Sequence, residues 1–503
     1  MDQNRRYRST LRRREAGVLL HISSLPGCFT SGDLGGEARN FVDFLANCGF
    51  ALWQTLPINP PQGGDSPYQS SSVHAGNPCF ISLAPLVQKG WLPKQVLRGH
   101  NCSKEVKYHW LLNAHEAFRS HASAAEQESF QQFVAHHKSW LDDYTLFEAL
   151  HQDLTGRGWW EWPQPLRERE PIALAEARAR LRESTEFIAF QQWLFFTQWD
   201  ELKRYANERG VKLFGDMPIF VAHDSAEVWA NPELFFLDAQ GQPTVVAGVP
   251  PDYFSATGQR WGNPLYRWEQ MAESGFAFWI ERLKTQLILF DIIRIDHFRG
   301  FEAYWEISAS DDTAMNGQWV NALGDELFAR LHQHYDPLPL VAEDLGIITA
   351  EVSAMRLKYG LPGMKILQFA FSGEATNPYL PYRHELNTVV YTGTHDNDTT
   401  LGWYTSLEPK RRQQVEEYLG YPQEPMPWPL IRQALASRAR LAMIPMQDLL
   451  ALDGSHRMNL PGTASGNWHW RFDWSMVEET LAAKLHRCME IYGRLGQVPS
   501  EEV

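Results

Sequence analysis

Short runs of apolar residues recur along the chain, and each run ends in a polar or glycine-rich segment. Within a run the residues are almost continuously apolar and do not alternate with polar ones. This pattern is typical of parallel strands that are buried on both faces of a sheet. The sequence therefore predicts eight strands, at Val18–Leu20, Leu52–Leu56, Val211–Phe214, Ile292–Ile295, Leu340–Ala342, Met364–Phe371, Val389–Thr392 and Leu441–Met446.

Segments with helical periodicity lie between several of these strands, as at Gly36–Cys48, Phe187–Arg209 and Phe276–Leu289. Strands that alternate with helices and carry polar residues at their ends predict an α/β fold, a (β/α)8 or TIM barrel. A doubly wound open sheet is the main alternative. It is disfavoured because no GxGxxG motif follows the first strand.

Two parts of the chain are longer than a minimal barrel needs. Helical patterning at Glu126–Leu154 and Ile172–Arg182 predicts a helical insertion over about residues 85–186. The segment Val245–Tyr266 is rich in Gly, Pro, Tyr and Trp and has no clear periodicity. It is interpreted as a long loop, with a lid at about residues 248–266, because long ordered loops in compact enzymes are often lids.

The N-terminal residues 1–16 contain several arginines and no apolar segment, so they are interpreted as a basic, solvated tail. We expect residues 17–503 to form a single catalytic barrel domain.

Composition excludes several classes of protein. The net charge is −14 and the pI about 5.7, which is the wrong sign for a nucleic-acid binder. No segment approaches the roughly 18 apolar residues of a membrane span. The five cysteines lack CxxC spacing and are typical of free thiols in a reducing compartment. We therefore expect a cytoplasmic protein.

Aromatic residues make up 13% of the chain and either fill the core or line a site for ligands with flat apolar faces.

Three acidic residues each follow their own apolar run: Asp296, Glu343 and Asp396. In a barrel the carboxyl ends of the strands converge on one face, so these acids are expected to meet over one pocket. Arg294 lies two residues before Asp296, and strand side chains alternate, so both point to the same side. A buried arginine needs a carboxylate partner, and this pairing would keep Asp296 ionised, as a nucleophile requires.

One ionised and one protonated carboxyl are what glycoside cleavage requires. A third acid can hold the sugar hydroxyls. His395 is interpreted either as a hydrogen-bond donor to substrate or as a satisfied core residue. The sequence has no HExxH motif, EF-hand loop or Cys/His cluster, so neither a metal nor another cofactor is expected.

Motifs along nearly the whole chain resemble those of the amylomaltases, the 4-α-glucanotransferases or disproportionating enzymes related to the α-amylase superfamily. The matching segments are Gly17–Pro26, Gly64–Ser70, Ala75–Pro78, Gly215–Val221, Gly248–Phe254, Gly258–Pro264, Ile293–Gly300, Ala342–Gly346, Gly363–Phe371, Gly393–Asn397, Arg457–Gly462 and Gly466–Trp468.

The resemblance implies roles for individual residues. Asp296 is implied to be the nucleophile, Glu343 the general acid/base and Asp396 the transition-state stabiliser. The resemblance also implies substrate contacts, at Ser66, Tyr68, Asp216, Tyr253, Gln259, Trp261, Arg294, Phe369, His395 and Asn467.

The implied activity is retaining transfer of α-1,4-glucan segments to the 4-hydroxyl of an acceptor sugar. The implied partners are glucose and α-1,4-glucans such as maltose, maltotriose, longer maltodextrins and amylose, without nucleic acid or membrane. The chain is expected to be a monomer or a simple homo-oligomer. An α-glucan hydrolase and a non-catalytic glucan-binding barrel are the competing interpretations.

Overall fold

Eight parallel strands form the central sheet of this computed structural model, which describes residues 7–98, 103–251, 255–463 and 465–496. In chain order, the strands of the described residues are β1 (Glu15–Leu19), β2 (Leu52–Gln54), β3 (Lys212–Met217), β4 (Val245–Val249), β5 (Gln259–Pro264), β6 (Ile292–Ile295), β7 (Ala303–Ser308), β8 (Gln318–Asn321), β9 (Leu340–Ala342), β10 (Gly363–Ile366), β11 (Thr388–Tyr391) and β12 (Leu441–Pro445).

The central sheet has the strand order β10-β11-β12-β1-β2-β3-β6-β9, and all its neighbours are parallel. Its two outer strands, β9 and β10, come together where Ala342 N donates to Pro362 O at 2.8 Å. The predicted (β/α)8 barrel is confirmed, and each of the eight predicted strands is present. Their ends differ by a few residues: the sixth predicted strand stops at Ile366 and continues as a 3-10 turn at Leu367–Phe369.

Alternate residues of these strands enter two different hydrophobic clusters. Val389 and Tyr391 of β11 belong to the cluster inside the barrel, whereas Val390 between them joins the larger cluster formed with the surrounding helices. Both faces of each strand are therefore buried. This is the physical reason why the strands read as continuous apolar runs.

Helices surround the barrel and fill the connections between strands. They are α1 (Gly36–Cys48), α2 (Ala84–Gln88), α3 (Lys104–His121), α4 (Ala124–His136), α5 (Lys138–Asp153), α6 (Gln164–Arg167), α7 (Pro171–Arg180), α8 (Arg182–Glu208), α9 (Ala226–Ala230), α10 (Trp268–Glu273), α11 (Ala277–Leu289), α12 (Gly324–Leu331), α13 (Ala350–Lys358), α14 (Thr400–Ser406), α15 (Pro409–Tyr418), α16 (Trp428–Ala436), α17 (Met446–Leu449) and α18 (Leu481–Ile491). None of the helices in the described ranges has the length and apolar character needed to cross a membrane.

Six helices, α2–α7, lie in the region predicted as a helical insertion. A seventh helix, α8, begins near the end of that region at Arg182. It continues without a break past residue 186, the predicted end of the insertion, and leads directly to β3. Its first half packs against α3 and α4 through clustered rings: Phe118 lies 5.0 Å from Phe190 and 5.3 Å from Trp193, measured between ring centroids. Part of the aromatic surplus therefore forms the core between insertion and barrel.

The segment predicted as a long loop contains two strands. β4 and β5 pair antiparallel, and with β7 and β8 they form a second sheet of four strands. The loop interpretation is therefore wrong for these strands. Gly248 obscured the strand pattern: a Cβ there would lie 2.2 Å from Gln259 O, so only glycine fits at this irregular step in the pairing. Residues 250, 251 and 255–258 do connect the strands as a loop.

The described part of the predicted N-terminal tail is packed against the barrel. Leu11 is buried in the cluster inside the barrel, and the ring of Tyr7 stacks on His332 at 3.8 Å. The Arg14 guanidinium donates to Ser437 O at 2.8 Å and to Leu435 O at 3.0 Å. The interpretation as a solvated tail is thus wrong for Tyr7, Leu11 and Arg14, whose side chains find partners at the amino-terminal end of the barrel, whereas Arg8, Arg12 and Arg13 are exposed.

Candidate active site

Four carboxyl groups lie at the carboxyl ends of four barrel strands. Asp216 is the penultimate residue of β3, Asp296 directly follows β6, and Glu343 directly follows β9. Asp396 lies in the loop after β11. Strand ends of one barrel converge at one face, and there catalytic residues of TIM barrels are found.

Arg294 joins two of these carboxyls at the centre of the site. Its Nη1 donates to both oxygens of Asp216 at 2.7 Å, and its Nη2 donates to Asp296 Oδ1 at 2.7 Å. The predicted contact between Arg294 and Asp296 is confirmed. Asp216 is the additional partner: its two oxygens share one guanidinium nitrogen, and the second nitrogen binds Asp296.

Burial and charge act in opposite directions on this group. The Arg294 side chain is 7% exposed and that of Asp216 is 1% exposed. Burial disfavours the guanidinium cation, but the charges of Asp216 and Asp296 outweigh this and raise the pKa of Arg294. Burial also raises the pKa of Asp216, and the Arg294 charge opposes that shift. The arginine therefore stays cationic beside Asp296.

Tyr68 covers Asp216 from the connection between β2 and β3. Its hydroxyl donates to Asp216 Oδ2 at 2.8 Å. Burial, with the nearby charge of Asp216, raises the pKa of Tyr68, so the phenol remains a neutral donor. The Tyr68 ring also stacks on His395, with 5.2 Å between centroids and 17° between planes, and lies 6.0 Å from Trp468. These rings form one aromatic wall.

Glu343 is held by two backbone N–H groups. His297 N donates to Oε2 at 2.7 Å, and Leu345 N donates to Oε1 at 3.0 Å. His297 has a φ of 51°, in the left-handed region that few residues with a side chain adopt. Backbone strain of this kind is characteristic of functional sites.

The carboxyl of Glu343 differs electrostatically from the other acids. Burial raises its pKa to about 8; the negative charge of Asp296 adds to the rise, while Arg294 opposes it. Glu343 is thus protonated at neutral pH, and the paired carboxylate of Asp296 faces Arg294. The buried Glu343 and the arginine-paired Asp296 are therefore neighbouring carboxyls in different surroundings.

Asp396 is more exposed than the other acids, with 49% of its side chain accessible. Its Oδ1 accepts from Asn459 Nδ2 at 2.7 Å and lies 3.4 Å from His395 Nε2. Arg457 Nη2 donates to the backbone O of Asp396 at 2.9 Å. The segment after β12 therefore fixes this acid.

Two of the predicted substrate contacts, Trp261 and Gln259, lie beside His297, whose backbone N–H is bonded to Glu343. The Trp261 ring, on β5, meets the His297 ring edge-on at 4.9 Å between centroids, and its Nε1 donates to Gln259 Oε1 at 3.1 Å. Phe369 is 37% exposed and lies 5.5 Å from the Tyr379 ring. The paired sheet of β4 and β5, rather than a loop, thus carries Trp261 to the site.

Three of the predicted substrate-binding residues remain to be placed. Ser66 lies in the turn that leads to Tyr68. Asn467 is bonded within its own segment, with Oδ1 accepting from Leu460 N at 2.9 Å. Tyr253 lies outside the described residues.

Sequence reasoning gave no role to Asn459, Arg457 or Trp468. All three lie in segments that carried the family resemblance, Arg457–Gly462 and Gly466–Trp468. Because these segments are not strand ends, the sequence pattern does not indicate where in the fold their side chains lie. In the described part of the chain, no group of three or more His, Cys, Asp or Glu side chains is arranged to hold a metal ion.

Comparison with known proteins agrees with this geometry. The model of a protein family described as 4-alpha-glucanotransferase matches residues 20–476. A 4-alpha-glucanotransferase of Thermus thermophilus is 50% identical over 96% of this chain and 99% of the relative, and one of Synechocystis is 47% identical over 96% and 99%.

Among solved structures, amylomaltase from Streptococcus agalactiae in complex with acarbose superimposes with a TM-score of 0.93. It is 37% identical, and the match covers 96% of this chain and 100% of that chain. The family model spans most of the sequence, and the relatives match over nearly their full length. The chain therefore belongs to the 4-alpha-glucanotransferase family.

Proposed function

We propose that this 4-α-glucanotransferase works by a retaining double displacement in which Asp296 is the nucleophile and Glu343 the acid/base. The observation that carries the proposal is the split between two neighbouring carboxyls. Glu343 is protonated at neutral pH, whereas Asp296 is paired with a permanently charged arginine. Enzymes that cleave glycosides with retention need this pair of states.

In the first step, an Asp296 oxygen attacks C1 of the donor sugar. The bond between C1 and the glycosidic oxygen breaks, and the Glu343 proton passes to that oxygen, which leaves on the shortened glucan. A glucosyl group is now bonded to Asp296. Arg294 keeps its two bonds to Asp216 and so remains in place as the charge on Asp296 is consumed.

In the second step, the 4-hydroxyl of an acceptor sugar attacks C1. Its proton passes to Glu343, the bond to Asp296 breaks, and the enzyme returns to its starting state with the anomeric configuration retained. The donors and acceptors are α-1,4-glucans such as maltose, maltotriose, longer maltodextrins and amylose, with glucose as the smallest acceptor.

Asp396 and the aromatic wall support the sugar in this scheme. One oxygen of Asp396 is held by Asn459, which leaves the other for hydroxyls of the donor glucose while positive charge develops on its ring. The face of Tyr68 offers a stacking surface to sugar C–H groups. Trp261, Gln259 and Phe369 would receive the acceptor.

Transfer and hydrolysis differ only in the acceptor. Trp261 is carried by the second sheet, beside the histidine that positions Glu343, and an acceptor sugar stacked there would exclude water from the attacking position. This placement favours transfer over hydrolysis.

Incubation with maltotriose tests the proposed function. The enzyme is expected to produce glucose and longer maltodextrins, with no net gain in reducing ends, because each cleaved bond is replaced by a new one. Product lengths and reducing ends are measured on the same samples. A rise in reducing ends as fast as glucose release would show hydrolysis and contradict the proposal.

A further inference from the structure

The orientation of Asp396 is not set by burial. About half of its side chain is accessible, so its carboxylate would rotate in water if no neighbour fixed it. A carboxylate that must meet sugar hydroxyls in one geometry needs such a neighbour, because misplacement of a reacting contact by about 1 Å can cost about 100-fold in rate.

Asn459 provides the short contact to this carboxylate. Its Nδ2 donates to Asp396 Oδ1 at 2.7 Å, and His395 Nε2 lies farther from the same oxygen, at 3.4 Å. The Oδ2 atom of Asp396 accepts no hydrogen bond from the residues that the structure describes. The amide thus engages one oxygen and leaves the other available.

The backbone of Asn459 makes two hydrogen bonds that fix its position, and a third bond holds the backbone of Asp396. Asn459 N donates to His395 O at 3.1 Å, and Arg457 Nε donates to Asn459 O at 2.9 Å. The same guanidinium donates to Asp396 O at 2.9 Å. The backbone on both sides of the contact is therefore joined, and the amide is presented at a constant place.

We infer that Asn459 is a positioning residue for glucan transfer, which acts by holding Asp396 in the orientation that receives the sugar hydroxyls. It acts through Asp396 and does not itself meet the reacting atoms. The inference rests on the proposed role of Asp396 in the transfer reaction.

The amide has a property that a carboxyl cannot replace. It donates a hydrogen bond and carries no charge, whereas aspartate at position 459 would place a second carboxyl against Asp396. Two carboxyls at this distance cannot both ionise freely, and they titrate as a pair with one pKa strongly raised. The other titratable and charged groups that face Asp396 in the described residues are His395, Tyr68 and Arg457, and this substitution leaves them in place.

The test compares Asn459→Ala and Asn459→Asp with the wild type in maltotriose disproportionation, measured as kcat and KM against pH. The alanine variant loses one charge-assisted hydrogen bond, so kcat is expected to fall about 10- to 100-fold with little change in KM. Its pH profile is expected to change less than that of the aspartate variant, because losing one hydrogen bond perturbs the Asp396 carboxylate less than a second carboxyl does. The aspartate variant is expected to shift the acidic limb upward by at least about one pH unit.

Asn47→Asp is the matched control, because it makes the same chemical change at an exposed position in the last turn of α1. It is expected to keep the wild-type rate and profile. A partly unfolded sample lowers the amplitude of a profile but not its midpoints, so the comparison remains decisive if a variant is unstable.

An acidic limb in Asn459→Asp that coincides with that of Asn459→Ala would overturn the inference, as would an alanine variant with wild-type kcat. These outcomes are distinct from failure of the proposed function, which would appear in the wild type as hydrolysis of maltotriose instead of transfer.

Discussion

Asp296→Asn is expected to abolish glucan transfer, with kcat lowered by at least about 10⁴-fold. The amide has no anionic oxygen to form the bond to C1, so the first displacement cannot occur. The fold should be retained, because Arg294 keeps both bonds to Asp216 and loses a charged partner only at Asp296. The measurement is kcat for maltotriose disproportionation, together with the thermal unfolding midpoint.

Asp200→Asn is the control for this substitution. Asp200 lies on α8 with an exposed side chain that pairs with Arg204 at 3.0 Å. Surface pairs of this kind contribute at most about 1 kcal/mol, so the variant should match the wild type in both rate and stability. If Asp296→Asn were folded and turned over maltotriose at a rate near that of the control, the assignment of the nucleophile would be wrong.

The second large effect concerns the proton on Glu343. The protonated carboxyl is the form that donates to the leaving oxygen. Since burial raises the pKa of Glu343 to about 8, the active form is present below that pH and is lost as the pH rises through it. We expect the rate of the wild-type enzyme to fall above about pH 8. Glu343→Gln should lower the rate by about 10²- to 10⁴-fold and remove this alkaline limb.

The pH dependence of kcat/KM for maltotriose checks this expectation, because that parameter reports groups of the free enzyme. The control is Glu208→Gln, at the end of α8 and exposed. An alkaline limb with the same midpoint in Glu343→Gln and in the wild type would show that another group controls proton transfer.

The barrel could be predicted from the sequence because nearly every residue of its strands is buried on one side or the other, with Lys212 at the start of β3 exposed. The runs at Ile292–Ile295 and Leu340–Ala342 have identical bounds in sequence and structure. Asp296 and Glu343 were found as candidates for the same reason, as the first polar residues after those runs. Strand alternation also gave the contact between Arg294 and Asp296.

The second sheet could not be predicted, because β4 and β5 contain residues that usually break strands. β5 has the sequence QRWGNP, with a glycine at positive φ and a terminal proline. Its partner β4 is near in sequence, but β4 pairs in turn with the distant strand β7, and no local periodicity records that pairing. Gly248 allows the backbones of β4 and β5 to approach closely, but in the sequence a glycine at this position indicates a loop.

The role of Asn459 was hidden for a different reason. Asn459 follows a strand by many residues, and the distance from Asp396 along the chain gives no indication that they meet. Only the pairing of β11 with β12 in the barrel sheet brings the two loops together. Side-chain contacts between loops at the carboxyl face are thus the part of the site that could be found only in the structure.

The central claim is that Asp296 carries the glucosyl group between the two steps. The most direct measurement is the mass of Glu343→Gln after reaction with α-maltotriosyl fluoride, whose leaving group needs no proton, followed by peptide mapping. The account predicts one added maltotriosyl group on the peptide that contains Asp296, and no addition when Asp296→Asn is combined with Glu343→Gln. An adduct on a different residue, or no adduct together with a product of inverted configuration, would contradict it.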